Sequence, residues 1–159
     1  MTEIRTTAEA HEESALPRAR AVHMAENAPD TPENLPLPPD LAAEPVEGKS
    51  PAQWAYERLV LYIQNFEQQL QPDEEVALGL TGGDVGVLQI EGLGYFAPDI
   101  LTFYGRDEDG VRTQLIQHVS QLNVMLVAIL KGAEEEEPRR IGFRLGQGIA
   151  QSKPLDQHR

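Results

Sequence analysis

Between residues 111 and 130 the sequence VRTQLIQHVSQLNVMLVAIL changes its hydrophobic pattern halfway. In the first half Val111, Thr113, Leu115, Gln117 and Val119 fall on one side of an extended chain, and Arg112, Gln114, Ile116 and His118 on the other. Such alternation predicts a strand. In the second half both sides are apolar: Leu122, Val124, Leu126, Ala128 and Leu130 against Asn123, Met125, Val127 and Ile129. A strand of that kind is buried on both faces, or covered by a helix or a second subunit. A helix competes as a reading of residues 120–130, but their β-branched content favours strand. The two strands meet near residues 119–121.

Upstream, Ala55, Leu59, Tyr62, Ile63, Phe66 and Leu70 repeat at helical spacing. Ser50 and Pro51 supply a start signal and Pro72 a stop, so a helix is predicted over residues 51–70. Strands are predicted over residues 76–80, 85–91 and 99–104, the second ended by Gly92 and Gly94. The turn RDEDG at 106–110 carries an Asp-Gly hairpin signature. After the acidic stretch 134–137, residues 139–145 alternate again and predict a sixth strand. One helix followed by five or six short, glycine-bent strands implies a mainly β fold, a small bent antiparallel barrel of Sm-like (SH3-type) form.

Composition changes the picture at the ends. Residues 1–49 are rich in Ala, Glu and Pro and are expected to be a disordered acidic tail, residues 50–145 the domain, and residues 146–159 a flexible C-terminal tail. The chain has no cysteine, which removes disulfides, thiolate metal sites and cysteine nucleophiles. No apolar run approaches the roughly 18 residues that span a bilayer. The N-terminus MTEIRTTAEAHEES does not resemble a signal peptide, so a cytoplasmic setting without membrane contact is expected. The formal charge of −13 argues against a general nucleic-acid coat.

The candidate chemistry is sparse. His118 and Ser120 stand two apart on a strand, hence on one face, as a base and nucleophile or as two ligand contacts. A hydrolytic pair would also need an orienting acid. Asp99 is the one obvious acid within a strand pattern, and no spacing places it nearby. No two histidines have metal-ligand spacing, and neither metal nor cofactor is expected. Residues 92–97, GLGYFA, match a dinucleotide fingerprint only in form, because Pro98 and a strand follow where a helix is needed. Tyr95 and Phe96 can stack on a base if exposed. Arg140 and Arg144, with Arg139, form the one basic cluster; on a strand they would share a face and grip a phosphate or carboxylate, or else pair with the acids at 134–137.

Two resemblances bear on these residues. Residues 50–145 are similar to a bacterial family of unknown function through SPAQWAYERLV, APDILTFYG, QLIQHVSQLNV and PRRIGFRL, which implies no activity. Residues 51–130 resemble, less specifically, the Sm/Hfq-like fold, in Gln89-Ile90-Glu91-Gly92-Leu93 and Ile116-Gln117-His118-Val119-Ser120. That likeness implies one helix, five bent antiparallel strands and rings closed by strand pairing between subunits. It departs from the family at Gln117, where the family has a lysine, and in its acidic surface. The expectation is a non-enzymatic homo-oligomeric module for a nucleotide or short RNA, using His118, Gln117, Ser120, Tyr95, Phe96, Arg140 and Arg144. The alternatives are a protein-interaction or scaffold subunit whose acidic tail recruits a partner, and a hydrolase built on His118 and Ser120.

Overall fold

A computed structural model of the chain describes residues 19–43, 45–80, 86–132 and 137–152. Two compact units divide it, Met1–Pro36 and Leu37–Arg159. In the first, the Asn34 amide accepts from Ala21 N at 3.1 Å and donates to Ala21 O at 2.9 Å, closing a loop that ends in a 3-10 turn at Pro32–Asn34.

The second unit opens with a one-turn helix, α1 (Pro39–Ala42), and the expected long helix, α2 (Pro51–Gln68). Ser50 caps α2 by accepting from Gln53 N, and Pro51 sits where no backbone donor is needed. Five antiparallel strands follow: β1 (Glu74–Leu80), β2 (Val87–Phe96), β3 (Ile100–Arg106), β4 (Arg112–His118) and β5 (Val124–Leu130). Their order in the sheet is β4-β3-β2-β1-β5. Tyr56, Val60 and Ile63 of α2 pack with Leu78, Leu88, Ile90, Leu101 and Phe103 into one core. Burying each such aliphatic or aromatic side chain contributes about 1.5–3 kcal/mol.

The sheet is open, which corrects the expected closed barrel. A 3-10 turn at Val119–Gln121 sends the chain from β4 to the far side of the sheet. There β5 pairs with β1 from Glu74↔Leu130 to Leu80↔Val124. The two edges, β4 and β5, form no ladder with each other. A second correction concerns β2, which runs through Gly92 and Gly94 instead of ending there. The register shifts between Ile90 and Gly92, so Glu91 is an inserted residue. That bulge keeps Ile90 and Leu93 on the core side although they are three apart. At Gly94 the strands approach closely: a Cβ there would lie 2.6 Å from Thr102 Oγ1.

The sixth strand does not form. Residues 142–152 make helix α3 (Gly142–Ser152), so the expected C-terminal tail is helical as far as Ser152, and residues 153–159 lie outside the described part. The misleading alternation of Ile141, Phe143 and Leu145 is overruled by contacts with α2. The Glu67 carboxylate accepts from Ile141 N at 2.6 Å and Gly142 N at 3.0 Å, and Gln64 Nε2 donates to Gly142 O at 2.8 Å. Gly142 and Gly146, one turn apart, let α3 lie against Gln64; a Cβ on either would come within 3.0 Å of α2 side chains. Leu145 and Ile149 then enter the core at i, i+4 spacing.

The boundary expected at Ser50 also moves. Leu41 is buried in the core. Lys49 is buried as well, its ammonium 2.7 Å from Glu57 Oε1 and 3.1 Å from Leu41 O. Gln53 Nε2 donates to the other Glu57 oxygen at 3.2 Å. A charge pair this deep is tolerable because every partner is itself hydrogen-bonded. The domain therefore includes residues from Leu37 onward, and the expected tail keeps only what precedes them. Residues 1–18 lie outside the described part.

Candidate functional site

The β2–β3 hairpin brings Asp99 to His118. Ile100 pairs with His118 across β3 and β4, and Val119 N donates to Asp99 O at 2.7 Å. This register sets the Asp99 carboxylate beside the ring, with Oδ2 3.0 Å from His118 Nε2. On the other side of the ring, Nδ1 lies 2.8 Å from Ser120 Oγ and accepts from Ser120 N at 3.1 Å. His118 N donates to Gln121 Oε1 at 3.0 Å. His118 is thus the cap of the 3-10 turn, in a reciprocal capping box with Gln121.

The backbone amide fixes the tautomer. An N–H can only donate, so Nδ1 carries the lone pair and Nε2 carries the proton. Nε2–H then donates to Asp99, and the Ser120 hydroxyl can donate to Nδ1. The order is acid, imidazole, hydroxyl, at a half-exposed position. The acid was not legible in the sequence: Asp99 and His118 are 19 residues apart and meet only through the β3–β4 register.

The other expected site residues divide between the two sheet faces. Cross-strand partners point the same way. Phe96, Ile100 and His118 form one row on the outer face, and Phe96 is 76% exposed. Tyr95, Leu101 and Gln117 form the next row, on the core side. The Tyr95 ring stacks at a tilt on Tyr56, centroids 5.0 Å apart. Burial, then Tyr95, then Glu57 push the Tyr56 phenol above its ordinary value. Gln117 Oε1 is buried and has no hydrogen-bond partner. Of the five expected residues in this region, then, His118, Ser120 and Phe96 share a surface, while Gln117 and Tyr95 line the core.

The basic cluster does not lie on one strand. Arg140 donates to the carbonyls of Glu74 and Gln71, which ties the chain before α3 to the start of β1. Arg144 is exposed on α3, so no strand face unites it with Arg140. Arg139 donates to Ile90 O at 3.2 Å and stands 3.9 Å from Glu91, which also meets Arg106 at 3.4 Å. Of the acids at 134–137, residues 134–136 lie outside the described residues, and Glu137 is exposed. Among the described residues no group of three metal-ligating side chains occurs, and no helix is long and apolar enough to cross a membrane.

The sheet edges form a second candidate surface. Residues 122–130 contain no charge and no proline, and Met125 and Leu130 of β5 are exposed, Leu130 by 70%. On β4, Ile116 is 62% exposed on the outer face. The doubly apolar pattern of residues 122–130 had signalled a covered strand.

No curated protein and no solved structure matches the chain. A family model does, over residues 48–144, from the buried stretch before α2 to the first turn of α3. That span holds α2, all five strands and the Asp99–His118–Ser120 cluster, and by it the chain belongs to DUF6173, a family of unknown function.

Proposed function

We propose that this protein is a non-enzymatic, Sm-like binding module that assembles with copies of itself through its two sheet edges. The observation that carries this is β5: seven residues of unpaired edge without a charge, beside exposed Met125 and Leu130. An edge strand left so is a template for another strand. The other edge, β4, is also seven residues long. Pairing β4 of one copy with β5 of the next joins two different surfaces, so it propagates head to tail and ends in a ring if the rotation closes. The helix followed by five bent antiparallel strands agrees with the Sm-like resemblance. The lack of cysteine suits a reducing compartment, and we place the assembly in the cytoplasm.

A nucleotide or short RNA is the second reading of its ligand, favoured by the exposed ring of Phe96 in one row with His118. Asp99 beside that histidine and a net charge of −13 oppose it, so a protein partner, recruited by the acidic residues 1–36, is the preferred cargo. Light scattering at micromolar concentration tests the assembly. The expected mass is a multiple of 17.6 kDa, and a strict monomer removes the reading.

A further inference from the structure

We propose that Ser120 is a reactive serine, acylated by activated acyl donors through the Asp99–His118–Ser120 relay. This goes beyond self-assembly and does not depend on it. Three observations converge. Ser120 Oγ is 2.8 Å from His118 Nδ1, and His118 Nε2 is 3.0 Å from Asp99 Oδ2. The Ser120 amide, 3.1 Å from the same Nδ1, holds the ring in the tautomer whose Nδ1 lone pair is shared between that N–H and the hydroxyl. Capping alone needs only that amide bond. A carboxylate on the far nitrogen goes beyond that bond: it orients the ring and stabilises the imidazolium that forms when the serine loses its proton. The cluster is half exposed, so a small donor reaches it, and Phe96 and Ile100 in the His118 row give an apolar wall for an aryl or acyl group.

The step balances with an aryl ester as co-reactant. Ser120 Oγ attacks the acyl carbon and its proton passes to His118 Nδ1. The bond between the acyl carbon and the aryl oxygen breaks, and the leaving phenolate takes the proton back from His118 Nδ1. The product is an O-acyl serine and a phenol, with no change of oxidation state. The hydroxyl has one base and one orienting acid, so the fitting donors are those with good leaving groups: aryl esters, thioesters and acyl phosphates. Asp99 acts through His118 and is a positioning residue.

The probe is para-nitrophenyl acetate on the full chain, read as nitrophenolate release and as the peptide that carries acetyl. The expected result is a burst of about one nitrophenolate per chain with acetyl on Ser120. Ser120→Ala removes it. His118→Asn keeps a favoured capping side chain but loses the base, so its melt stays close to wild type while labelling slows about 100-fold. Asp99→Asn slows labelling about tenfold, and Asp99→Glu recovers part of the loss. Acetyl spread over lysines, a burst surviving in Ser120→Ala, or wild-type labelling in His118→Asn overturns the proposal. If His118→Asn does not fold, Asp99→Asn decides, and labelling at the wild-type rate there is equally fatal.

Discussion

The two edges of the sheet are built of the same number of residues and finished differently. On β4 the outward row is Arg112, Gln114, Ile116 and His118, three polar side chains around one apolar one. Its last residue, His118, caps the turn that follows and is tied to Asp99. Charged and polar side chains of this kind blunt an edge against unwanted pairing. β5 has none of them: Val124, Met125, Leu126, Val127, Ala128, Ile129 and Leu130 offer no charge on either side. Its neighbour β1 is buried along nearly its whole length, so β5 flanks a central strand while Met125, Ala128 and Leu130 stay exposed. One edge is finished for water and the other is apolar on both sides, and that difference is the ground for proposing that a second copy covers β5.

Both edges hang from one core and one buried charge pair, and the largest effects come from those. Ile63→Asp places a carboxylate among fully buried side chains and is expected to cost more than about 4 kcal/mol, read as loss of the cooperative melt. Lys49→Ala leaves Glu57 buried without its cation and is expected to cost about 3–5 kcal/mol in denaturant unfolding. A wild-type melt for Lys49→Ala would mean that the segment before α2 is not docked. Next comes the comparison itself. Ala128→Lys with Leu130→Lys substitutes two exposed β5 positions, so the melt of the chain stays within about 0.5 kcal/mol while association weakens at least about tenfold. Ile116→Lys on β4 is expected to weaken it less, because that edge is already polar. A larger effect on β4 than on β5 in sedimentation would invert the comparison. The smallest effect is that of His118→Ala, which removes the cap of one short turn and is expected to cost about 1 kcal/mol, a shift of a few degrees in melting temperature.

Much of this fold is legible in the sequence, and the misses have particular causes. α2 carries its own start, stripe and stop within residues 50–72, so local signals suffice. β4, the turn at Val119–Gln121 and β5 follow from the switch in period between residues 111 and 130. α3 was missed because Ile141, Phe143 and Leu145 mimic a strand, whereas the deciding partners, Gln64 and Glu67, lie more than 70 residues earlier. The one local clue was Gly142 and Gly146 at a helical turn's spacing. Lys49 reads as a tail charge until α2 presents Glu57 to it. The candidate site was half legible. His118 and Ser120 are neighbours in sequence and stay so in space, while Asp99 arrives through strand register. Tyr95 and Gln117 read as companions of His118, but an alternating strand sends every second side chain to the opposite face.

The most direct test of head-to-tail edge pairing mixes two edge variants: the double β5 variant, Ala128→Lys with Leu130→Lys, and a β4 variant carrying Ile116→Lys and Gln114→Lys. Each keeps one intact edge of opposite kind, so each alone is monomeric at micromolar concentration. A one-to-one mixture pairs the intact β4 of the first with the intact β5 of the second and stops there, because both remaining edges are blocked. Light scattering is then predicted to show each variant near 17.6 kDa and the mixture near twice that mass. A mixture that stays monomeric, or single variants that still assemble, would contradict the account.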